Sequence, residues 1–227
     1  MARATSGQSG LDSTEVSLLP AANPVRRTAH IPALRVGLYT RTPPTPRSQS
    51  PLVSQPRRNI ELKAADPDPR RSLEACLTLG AEDRGEIRQR DTYFAVPNGG
   101  LKLREEQPGR PHLIQFQRPS EPRQRESQYR IIQVEDGATL RAALTAAIGA
   151  TVVVTKTRRL LLLHQVRIHL DTVEQLGTFI EFEAVAPPDS DLADEHALVT
   201  MLRARFDITD DRLTPYGYAE QLLALTS

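Results

Sequence analysis

Alternating apolar and polar positions fill most of the chain after residue 58 and predict β-strands. In a strand, residues i and i+2 share one face, so this alternation separates an apolar face from a polar one. Asn98, Gly99 and Gly100 stand between two such runs and predict a hairpin. About eight strands are predicted, over residues 59–64, 86–96, 100–106, 112–119, 127–134, 151–164, 165–174 and 177–187.

Helical spacing appears between and after these strands. Asp66 or Asp68 can cap a first helix that Gly80 closes, and a second helix runs from Asp136 to Gly149. A third helix is predicted within residues 189–208 and a short terminal one within 214–225. Strands of this number with helices around them predict an α+β protein whose antiparallel sheet closes into a barrel.

The charges of the strands fall on shared faces, opposite large apolar side chains. Ordinary half-buried strands with their charges in water would give the same pattern on any one strand. Here the pattern recurs on at least five strands, with acids on the first and last two strands and cations on those between. The groups that share a face are Glu61 with Lys63, Lys102 with Arg104, Lys156 with Arg158, Arg167 with His169 and Asp171, and Glu181 with Glu183.

A barrel lined in this way predicts an anionic ligand and a metal ion. Clustered carboxylates without Cys suit a hard divalent ion such as Mg²⁺ or Mn²⁺. Clustered Lys and Arg suit phosphate oxygens. We therefore expect a metal–polyphosphate in the lumen, held by charged walls whose apolar outer faces are covered by helices.

Composition and the absence of certain motifs argue against several other classes of protein. No stretch approaches 18 apolar residues, so no membrane-spanning helix is expected. Residues 59–227 carry a formal charge of about −5, which argues against nucleic-acid binding. Neither GxxxxGK[ST] nor GxGxxG occurs. The lone Cys76 suits a reducing compartment, and we expect a cytoplasmic protein. The sequence leaves the oligomeric state open, with a homodimer as one option.

Residues 1–57 differ from the rest of the chain. Residues 1–58 hold eight of the 18 Pro and carry a formal charge of about +6, with Asp12 and Glu15 as their acids. We expect residues 1–57 to be a disordered Pro/Arg/Ser-rich tail that precedes one domain at 58–227. An organellar transit peptide or a mis-assigned start codon would explain the same composition.

The motifs NIELK, QRDTYF, LKLRE, VVVTKTRRLLL, VRIHLDTVEQLGTFIEFE and GYAEQLL appear in an order that resembles the CYTH superfamily, the triphosphate tunnel metalloenzymes. Within it, the chain looks most like the class IV adenylate cyclase branch. The resemblance implies an eight-stranded antiparallel β-barrel, or triphosphate tunnel, with flanking helices. Asn59 replaces the first Glu of the family's E-x-E-x-K motif, which removes one negative charge.

The resemblance also implies site residues. Lys63 and Asp171 are the expected catalytic residues, and Arg125 and Arg159 are weaker candidates for phosphate binding. The expected metal ligands, for Mg²⁺ or Mn²⁺, are Glu61, Asp171, Glu181 and Glu183. The expected triphosphate-binding residues are Lys63, Lys102, Arg104, Arg118, Lys156, Arg158 and Arg167.

Three functions remain open at this point. The first is cyclisation of ATP to cyclic AMP and pyrophosphate. The second is hydrolysis of thiamine triphosphate, inorganic triphosphate or a nucleoside triphosphate in the same tunnel. The third is a module without catalysis that binds polyphosphate or another acidic partner.

Overall fold

The computed structural model describes residues 56–119 and 124–226, which form eight strands and four α-helices. The strands are β1 (Arg57–Ala65), β2 (Glu82–Phe94), β3 (Gly100–Gln107), β4 (His112–Gln117), β5 (Arg125–Gln133), β6 (Ala150–Leu163), β7 (Val166–Val173) and β8 (Gly177–Val185). The helices are α1 (Pro69–Thr78), α2 (Gly137–Ile148), α3 (Ala193–Arg205) and α4 (Tyr218–Leu225). A short 3₁₀ turn at Asp210–Arg212 precedes α4.

All eight strands pair antiparallel and close into a barrel in the order β1-β5-β4-β3-β2-β6-β7-β8, with β8 returning to β1. The predicted α+β class, the eight-stranded barrel and its flanking helices are confirmed. Closure satisfies the backbone of every strand on both sides, so the sheet has no free edge. β1 and β2 lie on opposite sides of the barrel, four strands apart in either direction.

Capping residues and a glycine explain where two helices and one strand begin. Asp68 caps α1 by accepting a hydrogen bond from the Arg71 amide at 3.0 Å, and Asp136 caps α2 through Thr139 in the same way. Gly100 starts β3 against Phe116, whose ring atom Cζ would lie 2.1 Å from a Cβ at this position. A side chain here would displace the Phe116 ring. At Gly99, φ is +65° and a Cβ would lie 2.5 Å from the Phe116 carbonyl oxygen, so both positions of the hairpin favour glycine.

The main hydrophobic core lies outside the barrel, between its wall and two helices. The outward residues of β1, β7 and β8 pack against α1 and α3. Phe182 is fully buried there, and its ring lies 5.3 Å from that of Phe206. Cys76 of α1 is buried in the same cluster. Helices outside the wall therefore cover its apolar face, which leaves the lumen to charged residues.

A second, smaller core lies at one end of the barrel under α4. Val154, Val173 and Phe179 contact Tyr218 and its neighbours there. The Phe179 and Tyr218 rings are 5.0 Å apart. We call this the closed end of the barrel, because α4 covers it.

Two sequence expectations concern the N-terminal tail and membrane-spanning helices. The predicted disordered tail lies outside the described residues except for residues 56 and 57, and β1 begins at Arg57. Among residues 56–119 and 124–226, no helix is long and apolar enough to cross a membrane.

We expect Phe182→Ala to lower the free energy of unfolding by about 3–5 kcal/mol, because it opens a cavity in a core that cannot collapse around it. Chemical denaturation measures this loss. Ile132→Ala is the control, since Ile132 is 58% exposed on β5 and its truncation should change stability little. Equal losses in the two variants would contradict the placement of the core.

Candidate active site

The barrel encloses a cavity of about 300 Å³ whose wall is dominated by charge. Three of the four expected metal ligands, Glu61, Glu181 and Glu183, line it, whereas Asp171 is buried in the wall. All seven residues expected to bind triphosphate face this cavity: Lys63, Lys102, Arg104, Arg118, Lys156, Arg158 and Arg167. The alternation along each strand therefore brings the predicted residues into one chamber.

Glu181 of β8 is the centre of one group of ion pairs. Its Oε1 lies 2.6 Å from Lys63 Nζ on the neighbouring strand β1. Its Oε2 lies 3.0 Å from Arg158 Nη2 and 3.0 Å from His169 Nδ1. Burial would raise the pKa of Glu181, but Lys63, His169 and Arg158 hold it well below its usual range. Glu181 is therefore a carboxylate at neutral pH.

Asp171 of β7 is held by an arginine fork and a tyrosine. Arg158 donates from Nε and Nη2 to its two oxygens, at 2.6 Å each. Tyr218 of α4 donates its hydroxyl to Asp171 Oδ2 at 2.9 Å. Both carboxylate oxygens are thus engaged, so a metal ion at Asp171 would compete with Arg158 and Tyr218 for them.

A third buried carboxylate, Asp91 of β2, lies among the cations of the opposite wall and is 1% exposed. Arg104 donates two hydrogen bonds of 2.7 Å to it. Lys102 Nζ and Lys156 Nζ lie 3.0 and 3.9 Å from its Oδ2. The predicted segregation of acids and cations onto separate walls is therefore wrong, because β2 brings an acid between two cationic strands.

Burial and neighbouring charges shift the pKa values of Asp91, Lys102 and Lys156 in this wall. It would raise the pKa of Asp91, but Arg104 and Lys102 hold that pKa well below its usual range. Burial and the nearby Arg104 lower the pKa of Lys102 to about 8, in spite of Asp91. Burial and Arg158 hold the pKa of Lys156 well below its usual value. An anion in the cavity would favour the charged form of both lysines.

Glu61 of β1 is engaged by two arginines. Arg125 Nε lies 2.9 Å from Glu61 Oε1, and Arg118 Nη1 lies 3.3 Å from the same atom. Arg125 also donates to the Pro215 carbonyl at 2.6 Å, in the segment before α4. Arg118 and Arg125 thus link β1 to the closed end.

Arg167 and Arg159 lie on different sides of the barrel wall. Arg167 lies at the other end of the cavity, with Nη1 3.6 Å from Glu183 Oε2. Arg159 points away from the cavity and pairs with Asp83 on the exposed outer surface, at 2.6 Å. Arg159 therefore has no role in the cavity, as its position opposite Lys156 and Arg158 in the strand alternation indicates.

Tyr218 forms the floor of the cavity at the closed end. Lys63 Nζ lies 4.1 Å and Lys156 Nζ 4.9 Å from the centre of its ring. These are cation–π distances, and such contacts favour the charged form of each lysine. Burial and Asp171 raise the pKa of Tyr218 well above its usual value, so its hydroxyl remains a donor.

Among the described residues, His169, Glu181 and Glu183 form a cluster that could hold a metal ion. One ligand atom from each lies within 4.8 Å of the other two. Burial and Arg158 lower the pKa of His169, so its imidazole is neutral at pH 7. Glu61 pairs directly with Glu183 across β1 and β8, which puts a third carboxylate beside the cluster. This donor set fits a divalent ion.

Sequence reasoning missed Asp91 as a site residue, although a signal was present. Asp91 alternates with Gln89 and Tyr93, so one face of the QRDTYF motif carries all three. His169 was identified by the same alternation with Asp171, but its contact with Glu181 depends on the pairing of β7 with β8. Tyr218 gave no signal of its contact with Asp171, because it lies on a helix outside the strand pattern.

Residues 57–204 match the model of the CYTH domain family. A search of curated proteins finds no significant match.

Two solved structures share the fold. The PH1012 protein from Pyrococcus horikoshii OT3 is 22% identical, with a TM-score of 0.64, and the match covers 71% of this chain and 98% of that one. A protein from Vibrio parahaemolyticus, provisionally named an adenylate cyclase, is 17% identical, with a TM-score of 0.61 and coverage of 73% and 97%. At these identities, the likeness establishes the fold alone.

We expect the affinity for inorganic triphosphate to fall as the pH rises above 8, because Lys102 then loses the charge that the anion needs. Isothermal titration calorimetry between pH 7 and pH 10 measures the dependence. In Lys102→Arg, the side chain stays charged, so above pH 8 the slope of log Kd against pH should be smaller by about 1. Identical slopes in the two proteins would contradict the assignment.

We expect Asp91→Asn to lower the free energy of unfolding by about 3–5 kcal/mol, because three buried cations lose their shared carboxylate. Added inorganic triphosphate should stabilise this variant more than the natural protein, since the anion replaces the lost charge. Urea denaturation with and without triphosphate measures both effects. Asp83→Asn, which breaks the exposed pair with Arg159, is the control and should change little.

Proposed function

Since the chain belongs to the CYTH domain family, we propose that it is a divalent-metal-dependent enzyme acting on a triphosphate, and that it converts ATP to cyclic AMP and pyrophosphate. The observation that carries the proposal is the cavity itself, where seven Lys and Arg side chains face a cluster of two carboxylates and an imidazole. The order of the sequence motifs, which resembles the class IV adenylate cyclase branch, favours the cyclase.

The ion pairs of the cavity support a phosphate ligand. Arg104, Arg158 and Lys63 each bind a carboxylate at 2.6–2.7 Å, so each is already placed to hold an anionic oxygen. A triphosphate offers such oxygens to several cations at once, with Arg giving two-point contacts. Its arrival would release carboxylates from their arginine and lysine partners. The released carboxylates would then be available to a cation.

Glu181, Glu183 and His169 are the residues proposed to hold the divalent ion. Glu61 and Asp171 would become further ligands when the arginines that now pair with them bind phosphate oxygens instead. When bound, such an ion neutralises phosphate charge and lowers the pKa of a nearby hydroxyl. Asn59 stands where the family has a Glu, so this chain offers the ion one carboxylate fewer.

In the proposed reaction, the ribose 3′-oxygen of ATP attacks the α-phosphorus. A bond forms between that oxygen and phosphorus, the bond from the α-phosphorus to the bridging oxygen breaks, and the hydroxyl proton leaves to solvent. Lys63, Lys156 and Arg158 hold the charge that builds on the leaving pyrophosphate. Lys63 and Asp171 remain the proposed catalytic residues, Lys63 at the phosphate and Asp171 towards the ion.

A substrate panel tests the reaction. ATP, GTP, thiamine triphosphate and inorganic triphosphate are each incubated with Mg²⁺ or Mn²⁺, and cyclic nucleotide, pyrophosphate and orthophosphate are measured. Cyclic AMP with pyrophosphate supports the cyclase. Orthophosphate release instead identifies a hydrolase in the same cavity. Binding without turnover of any substrate leaves a polyphosphate-binding module and excludes an enzyme.

We expect Glu181→Gln to reduce metal-dependent turnover by at least about a hundredfold, because the proposed ion loses a charged ligand while the shape of the side chain is kept. Initial rates at saturating metal measure this loss, and thermal melting checks that the fold is intact. Glu174→Gln changes an exposed carboxylate in the β7–β8 turn and should keep full activity. Equal activity in the two variants would contradict the role of Glu181.

A further inference from the structure

The end of the cavity away from α4 carries aliphatic side chains on β2, β4, β5 and β6, beside the charged Arg167 and Glu183 of β7 and β8. Ile114 and Ile131 face each other across β4 and β5. Ile131 lies six residues along β5 from Arg125, which contacts the closed end, so the two positions are about 20 Å apart. Ile131 is also 41% exposed, as expected at an opening. We call this group the collar: Ile87, Ile114, Ile131 and Leu160, all of which line the cavity.

Three buried polar atoms line the cavity without a hydrogen-bond partner among the described residues. They are Asn59 Oδ1, Gln89 Oε1 and the Tyr129 hydroxyl. Asn59 and Gln89 are only 2% and 4% exposed, so solvent does not readily satisfy them. Buried acceptors of this kind are costly when they have no donor. A ligand that carries hydrogen-bond donors would remove that cost.

The order of residues along β2 and β5 places Gln89 and Tyr129 between the charged wall and the collar. On β2, Gln89 stands between Ile87 and Asp91 on the face towards the cavity. On β5, Tyr129 stands between Ser127 and Ile131 on the same face. A ligand anchored by phosphate among the cations would therefore reach the acceptors first and the collar next.

We infer that the collar and the three polar atoms bind the nucleoside part of a nucleoside triphosphate, an inference that rests on the proposed function. Inorganic triphosphate consists of acceptor oxygens, so it cannot donate to Asn59 or Gln89 and gains nothing from aliphatic side chains. A nucleoside supplies ribose hydroxyls and the amino group of a base as donors, and its base has flat apolar faces. Thiamine triphosphate offers one amino group as a donor to Asn59 and Gln89, whereas a nucleoside offers ribose hydroxyls as well.

Paired substitutions at the opening test this assignment. Dissociation constants for ATP, thiamine triphosphate and inorganic triphosphate are measured by calorimetry in EDTA, so that no turnover accompanies binding. Ile131→Ser removes apolar contact, and Gln89→Leu removes an acceptor. Ile132→Ser is the matched control, because Ile132 is the next residue on β5, is 58% exposed and does not line the cavity.

We expect Ile131→Ser and Gln89→Leu each to weaken ATP binding by about fivefold, while inorganic triphosphate binding stays within about twofold. Ile132→Ser should change neither. The inference is overturned if both ligands weaken equally, if ATP binding is unaffected, or if thiamine triphosphate loses more affinity than ATP. If the natural protein binds none of the three ligands, either in EDTA or with Mg²⁺ present, the proposed function fails as well, and this result differs from each of the others.

Discussion

A charge buried in a closed barrel needs an opposite charge in contact with it, because removal from water costs several kcal/mol per ion. In this lumen, each buried carboxylate has a cation within 3 Å. The pairs around Glu181, Asp171 and Asp91 form one continuous network, and Glu61 pairs separately with Arg118 and Arg125. Asp91 holds together the cations of β3 and β6, and Glu181 connects β1 with β6 and β7. The network keeps the side chains extended into the cavity when no anion is present.

Such a network is stable only if the outer face of the barrel supplies the folding energy. The apolar residues opposite the lumen charges fill the core against α1 and α3, with Ile60, Ile168 and Phe182 fully buried. The usual arrangement of a small barrel, with an apolar interior and a polar exterior, is therefore reversed over much of its wall. This division of labour explains why each strand carries both large apolar residues and charges.

Strand alternation made much of this architecture predictable. Because residues i and i+2 share a face, Glu61 with Lys63 and Lys156 with Arg158 had to point to the same side of their strands. The side-chain caps at Asp68 and Asp136 were equally local.

The contacts between strands were not predictable in the same way. The strand order brings β2 between β3 and β6, and no local pattern indicates that Asp91 would meet Lys102 and Lys156. The floor formed by Tyr218 depends on where the chain returns after α3, which propensity and periodicity do not determine.

The position of Tyr218 at one end of the cavity has a further consequence for how a ligand enters the barrel. Because α4 packs at one end of the barrel, a ligand that enters at the collar meets Tyr218 with its leading end. The depth between the collar and Tyr218 limits how many linked phosphate groups the cations can hold at once.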